Sequence, residues 1–132
     1  MPVTVTTWNL KGSERPDTGV VVDHARAVGA DVLCLQEVQC HQARAIARGL
    51  AAASLRWGFT HWPVRTWPEG MAIVGVTWPV AARCHALTHR WRLWSWQRRI
   101  LLTGTLLLPP VAGETATALR LIDLHLSPHG TP

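Results

Sequence analysis

The residues best equipped for chemistry are amides, carboxylates and an imidazole set at the ends of apolar runs. In "ADVLCLQEVQ", residues 30–39, Val32, Leu33, Cys34 and Leu35 lead directly into Gln36 and Glu37. Asn9 stands near the end of "MPVTVTTWNL", and Asp123 and His125 lie in "LRLIDLHLSP". A glutamate beside a neutral amide oxygen suits a hard cation such as magnesium, which takes oxygen ligands and keeps several waters. Bound magnesium polarises a phosphoryl oxygen and offsets charge on a leaving group. A carboxylate two positions from an imidazole can hold the ring in one tautomer and raise its pKa, which suits phosphate binding or proton donation. Each feature also has an ordinary alternative. Glu37 could stand in water or cap a helix starting near Cys40, and His125 could be a surface residue at a strand end.

These groups can cooperate only if the intervening elements bring them together. Residues 3–10 alternate β-branched and polar types, the pattern of a strand. A polar loop follows, with Asp17 placed to cap a helix in which Val21, Ala25 and Val28 share a face and Asp23 and Arg26 another. Gly29 is the expected stop. Residues 31–37 then read as a strand covered on both faces, which completes a βαβ unit. In a right-handed unit of that kind both strands run the same way, so Asn9 and Glu37 reach the same, carboxyl end of one sheet, where ligand crevices form. A second helix is expected over 41–54, with Ala43, Ile46, Leu50 and Ala53 inward and Arg44 and Arg48 outward. Strands alone follow, near 57–62, 71–78, 81–88, 98–108 and 118–126, with turns at Pro68–Gly70, Pro79 and Pro109–Gly113. In the last strand the two-residue period puts Leu119, Leu121, Asp123 and His125 on one face.

Composition sets the frame. The chain has 132 residues, 48% of them apolar and 16% charged, a globular balance with one domain's length. The net charge of +5 is almost all arginine, with Lys11 the single lysine, and favours an anionic partner. Cys34, Cys40 and Cys84 form no CxxC pair and read as reduced thiols. No apolar run approaches the roughly 20 residues that span a bilayer, and the start lacks a signal-peptide pattern, so a cytoplasmic location is expected and a membrane partner is not.

In this order and spacing, "TTWNLKG", "GADVLCLQEVQ", "GMAIVGVTWPV", "RRILLTGTLLLP" and "LRLIDLHLSP" resemble the endonuclease/exonuclease/phosphatase superfamily, the deoxyribonuclease-I-like fold. The resemblance implies an α+β architecture, part of a four-layer sandwich of two sheets flanked by helices, and hydrolysis of phosphoester bonds with magnesium, or manganese in its place. It makes Glu37 the metal-binding glutamate and Asn9 the asparagine that helps hold the metal and its water. His125 becomes the histidine that hydrogen-bonds the scissile phosphate, and Arg98 or Arg99 the arginine opening the middle strand. Leu124 stands where the family usually has threonine.

A larger departure is that the family's Gly-Asp-x-Asn and Ser-Asp-His motifs are nowhere in the sequence, and only seven residues follow His125. Asp23 and His24 are a decoy, because neighbours on a helix face different ways. The absent groups orient and deprotonate the attacking water, so a single, incomplete domain with little or no turnover alone is expected. If the chain supplies one sheet and its helices, the face that should meet the second sheet is bare, which predicts self-association or a complementing chain. In "HRWRLWSWQRR", Arg92, Trp94, Trp96 and Arg98 share one face of an extended segment. They could stack bases and track phosphates, sit at a lipid interface, or pack as ordinary core and edge residues. Two classes of function remain open: the amino-terminal half of a phosphoesterase or nuclease acting on a phosphoester substrate such as nucleic acid, and a non-catalytic anion- or nucleic-acid-binding module.

Overall fold

The computed structural model describes residues 2–61, 67–87, 100–110 and 115–124, with the backbone alone at 61. Its elements are β1 (Val5–Asn9), a 3-10 turn (Gly12–Glu14), α1 (Thr18–Ala27), β2 (Val32–Gln39), α2 (Cys40–Gly49), β3 (Ser54–His61), β4 (Glu69–Gly75), β5 (Val80–Ala86), β6 (Ile100–Leu108) and β7 (Thr117–Leu124). The architecture is α+β. One sheet runs in the order β1-β2-β4-β3, with β1 and β2 parallel, and the other in the order β5-β6-β7, all antiparallel.

Local chemistry explains the boundaries. The Asp17 carboxylate accepts the Gly19 N–H at 2.8 Å and starts α1. Gly29, at φ 63, ends it, with the Gly29 and Ala30 amides bonded back to Arg26 and Ala25. Val28 falls after the last turn and is exposed, and Val22 takes the buried place expected for it. The second helix stops at Gly49, short of the expected 54, because Ala51 adopts φ 50 and the Ala51 and Ala52 amides close the same kind of cap onto Arg48 and Ala47. This early stop releases residues 54–61 to pair with β4.

Two apolar clusters lie on opposite faces of the first sheet. Leu33, Leu35, Val38, Ala72 and Val74 pack against Val21, Val22 and Ala25 of α1 and Ala43 and Ile46 of α2. Val32, Cys34, Met71 and Ile73 pack against Val80, Ile100, Leu102, Leu106 and Leu121. The expected bare inner face is therefore not found, because β5–β7 cover it. Bare apolar residues lie instead on the outer side of the second sheet, where Leu107 and Ile122 are 68% and 71% exposed. The three cysteines are free thiols. Among the described residues no helix is long and apolar enough to cross a membrane.

Candidate active site

The parallel pairing of β1 with β2 places Asn9, the last residue of β1, opposite Gln36, one residue from Glu37, where β2 runs on past the end of β1 to Gln39. The chain then closes over that end. Leu10 N donates to Gln36 O at 2.9 Å, and Lys11 N donates to Asn9 Oδ1 at 3.1 Å, which identifies the side-chain oxygen and fixes its direction. Gly12 is buried so tightly that a Cβ there would lie 2.6 Å from Glu37 O and 2.6 Å from Gln42 Oε1. Only glycine permits that approach.

A β-bulge sets Glu37 apart. Leu35 pairs with Ala72 and Val38 with Gly70, so Gln36 and Glu37 together oppose Met71. Glu37 adopts φ 49 and is half-buried. Lys11 and Arg15, at φ 47 and 55, are also left-handed, so three of the four such non-glycine residues among those described lie at this end of the sheet. Conformations of this kind cost about 1–3 kcal/mol each and gather at functional sites.

The last described strand meets the same region from the other sheet. Asp123 lies on the inner face of β7 with Leu119 and Leu121, as the alternation requires. It is buried, and Gln36 Nε2 donates to its Oδ1 at 2.6 Å. Gln36 Nε2 also lies 3.0 Å from Thr7 Oγ1 and 3.3 Å from Cys34 O. Beside this contact the margin between β1 and β7 opens into a hollow of about 350 Å³ lined by Val5, Thr7, Cys34, Gln36, Leu121 and Asp123 among others. Burial, and then the nearby Asp123 charge, push the Cys34 thiol up to about 12, so it is inert at neutral pH.

Of the residues singled out in the sequence, Asn9 and Glu37 come together, and Asp123 joins them through Gln36. His125, Arg98, Arg99 and the tryptophan-rich segment lie outside the described residues. Asp23 and His24 do not belong to this site: Asp23 faces Arg26 at 3.8 Å, and the His24 ring packs edge-on against Trp8. Sequence reasoning singled out Gln36 but gave it no role, since its partner is 87 residues away, and it missed Glu69, read there as part of a turn. Glu69 instead begins β4, is buried, and accepts the Ser13 N–H that anchors the loop after Asn9.

As a cation site, Asn9 and Glu37 supply one amide oxygen and one carboxylate. Among the described residues no group of three or more His, Cys, Asp or Glu side chains could hold a metal. Two oxygen donors of this kind fit a hard cation that keeps most of its water, as magnesium does.

Residues 6–125 match the family model described as Endonuclease/Exonuclease/phosphatase family. No curated protein matches the sequence. Among solved structures, an endonuclease/exonuclease/phosphatase from Beutenbergia cavernae superposes with a TM-score of 0.69 at 23% identity, covering 96% of this chain and 39% of that one. A family protein from Leptotrichia buccalis gives 0.69 at 14% identity, over 96% and 54%. The human Nocturnin catalytic domain with bound sulfate anion gives 0.62 at 16%, over 92% and 49%. The chain thus spans roughly half or less of the length of these relatives, and the likeness to them is one of fold.

Proposed function

For a chain that belongs to the endonuclease/exonuclease/phosphatase family, we propose a divalent-metal-dependent phosphoesterase or nuclease function, with residues 1–132 contributing the metal- and phosphate-binding half of the site. The observation that carries this reading is the parallel register that sets Asn9 opposite Gln36, with Glu37 next in line on a bulge. Glu37 and Asn9 would hold the cation, magnesium or manganese, whose chemistry when bound is to polarise a phosphoryl oxygen. His125, two positions beyond Asp123, is proposed to hydrogen-bond the phosphate, and Arg98 or Arg99 to pair with its charge. The net charge of +5 supports an anionic substrate, nucleic acid included.

The water-activating half of the site would come from polypeptide beyond residues 1–132. β1 and β7 are the outer strands of their sheets and flank the open margin, so further strands, from the same or another chain, could pair there. A second reading, an anion-binding module without turnover, is supported by the net charge of +5.

Calorimetric titration of the chain with Mn²⁺ tests the cation site. Wild type is expected to bind, and Glu37→Gln to bind at least about tenfold more weakly, since it removes the one carboxylate of the pair. Equal binding by both, or none by wild type, would rule out Glu37 as a ligand. Hydrolysis of a chromogenic phosphodiester by the chain alone, lost in Glu37→Ala, would instead show that no further half is needed.

A further inference from the structure

Gln36 has a place in the structure that the roles of Asn9 and Glu37 do not explain. It is 8% exposed and Asp123 is 5% exposed, and their side chains meet between the two sheets at the margin of the apolar interior. Around them Val32, Cys34 and Leu121 hold the sheets together by apolar contact. Such contact resists separation but is non-directional and tolerates sliding. A charge-assisted hydrogen bond is directional, and an ionised carboxylate can only accept, so its partner must donate. The Gln36 amide has two N–H groups, which serve Asp123 Oδ1 at 2.6 Å and Thr7 Oγ1 at 3.0 Å, one partner in each sheet.

We propose that Gln36 is a positioning residue: its amide fixes the register of β7 against β1 and β2, and so sets how the end of β7 approaches Asn9 and Glu37. Gln36 is the Cα partner of Asn9 and the chain neighbour of Glu37, so a strand tied to Gln36 is tied to both. The amide is the essential chemistry. A leucine at 36 would fill the space and leave β7 free to shift, and a glutamate would set two carboxylates against each other. The inference rests on the proposed cation site for its consequence, but not for its own test.

The test uses the whole chain with Gln36→Glu, the double variant Gln36→Glu/Asp123→Asn, and Leu106→Val as a general loss of packing. Amide hydrogen exchange along β7 is read for each, and Mn²⁺ titration for wild type and Leu106→Val. Gln36→Glu, read at a pH high enough to ionise both facing carboxylates, is expected to speed β7 exchange at least about tenfold by opposing like charges. The double variant exchanges the places of amide and carboxylate at constant length, and should return β7 exchange to within about threefold of wild type. Leu106→Val should speed exchange broadly without moving Mn²⁺ affinity. A double variant as impaired as Gln36→Glu, or normal β7 exchange in Gln36→Glu, overturns the proposal. If wild type takes up no Mn²⁺, the cation reading fails, and recovery of β7 exchange in the double variant still decides the role of Gln36.

Discussion

The two faces of the first sheet are covered in different ways. Toward the helices, Leu33, Leu35, Val38 and Val74 meet Val21, Ala25, Ala43 and Ile46, and the buried Gln42 of α2 is satisfied by the Gln39 N–H and the Gly12 carbonyl. Toward the second sheet, Val32, Met71 and Ile73 meet Ile100, Leu102 and Leu106, but at the β1–β7 margin the lining changes to Thr7, Gln36 and Asp123 beside an open hollow. A closed apolar layer stabilises by burial and needs only complementary shapes. A polar margin stabilises only if each group finds its partner, and it imposes geometry where it succeeds. The helix side therefore holds the sheet, while the margin of the other side holds the groups that could meet a ligand.

The contrast can be broken most forcefully from the closed side. Ile46→Ala is expected to cost about 2–5 kcal/mol in urea unfolding, through lost burial and the cavity left behind. It should leave Mn²⁺ affinity unchanged. A parallel loss of affinity would show that the two faces are not separable. Gly12→Ala should cost less, about 1–3 kcal/mol, because the added methyl meets the Glu37 carbonyl, which cannot move without the bulge. Here affinity should fall together with stability, and an unchanged affinity would mean that the loop after Asn9 does not set the site.

The smallest effect concerns Cys34. Its thiol ionises at about 12 in the folded protein against an ordinary 9.0, so the unfolded chain is the first to lose that proton as pH rises. The contribution is whole below pH 9 and declines as pH climbs toward 12. Unfolding midpoints across that range should fall more steeply for wild type than for Cys34→Ala. In the folded chain at pH 8, an alkylating reagent should reach the half-exposed Cys40 well before Cys34. Equal slopes, or early modification of Cys34, would place the thiol outside the buried margin.

Much of this was legible in the sequence, in proportion to how local each signal was. The alternation of residues 3–10, the Asp17 cap and the Gly29 stop carry the βαβ unit, and the handedness of such units brings Asn9 beside Glu37. The end of α2 was not legible, because Ala51–Ala53 reads as good helix, and nothing local marks Ala51 for a left-handed turn. Glu69 was hidden by its neighbours: Pro68 and Gly70 signal a turn, whereas burial against the Ser13 amide comes from a loop 56 residues earlier. The Gln36–Asp123 contact joins strands of different sheets and has no periodic signature at all. The covering of the inner face by β5–β7 was equally out of reach, since period-two patterns assign residues to faces but do not say which faces meet.

The bulge has one more consequence. Leu33, Leu35 and Val38 face the helices and Cys34 and Gln36 face the second sheet, so striking Glu37 from the list leaves an unbroken in-and-out alternation. Glu37 is in this sense an insertion that the sheet accommodates and does not require. A chain lacking that single residue would keep both cores in phase but lose the carbonyl on which Gly12 closes, so the deletion would fall on the loop after Asn9 and not on the packing of the sheet.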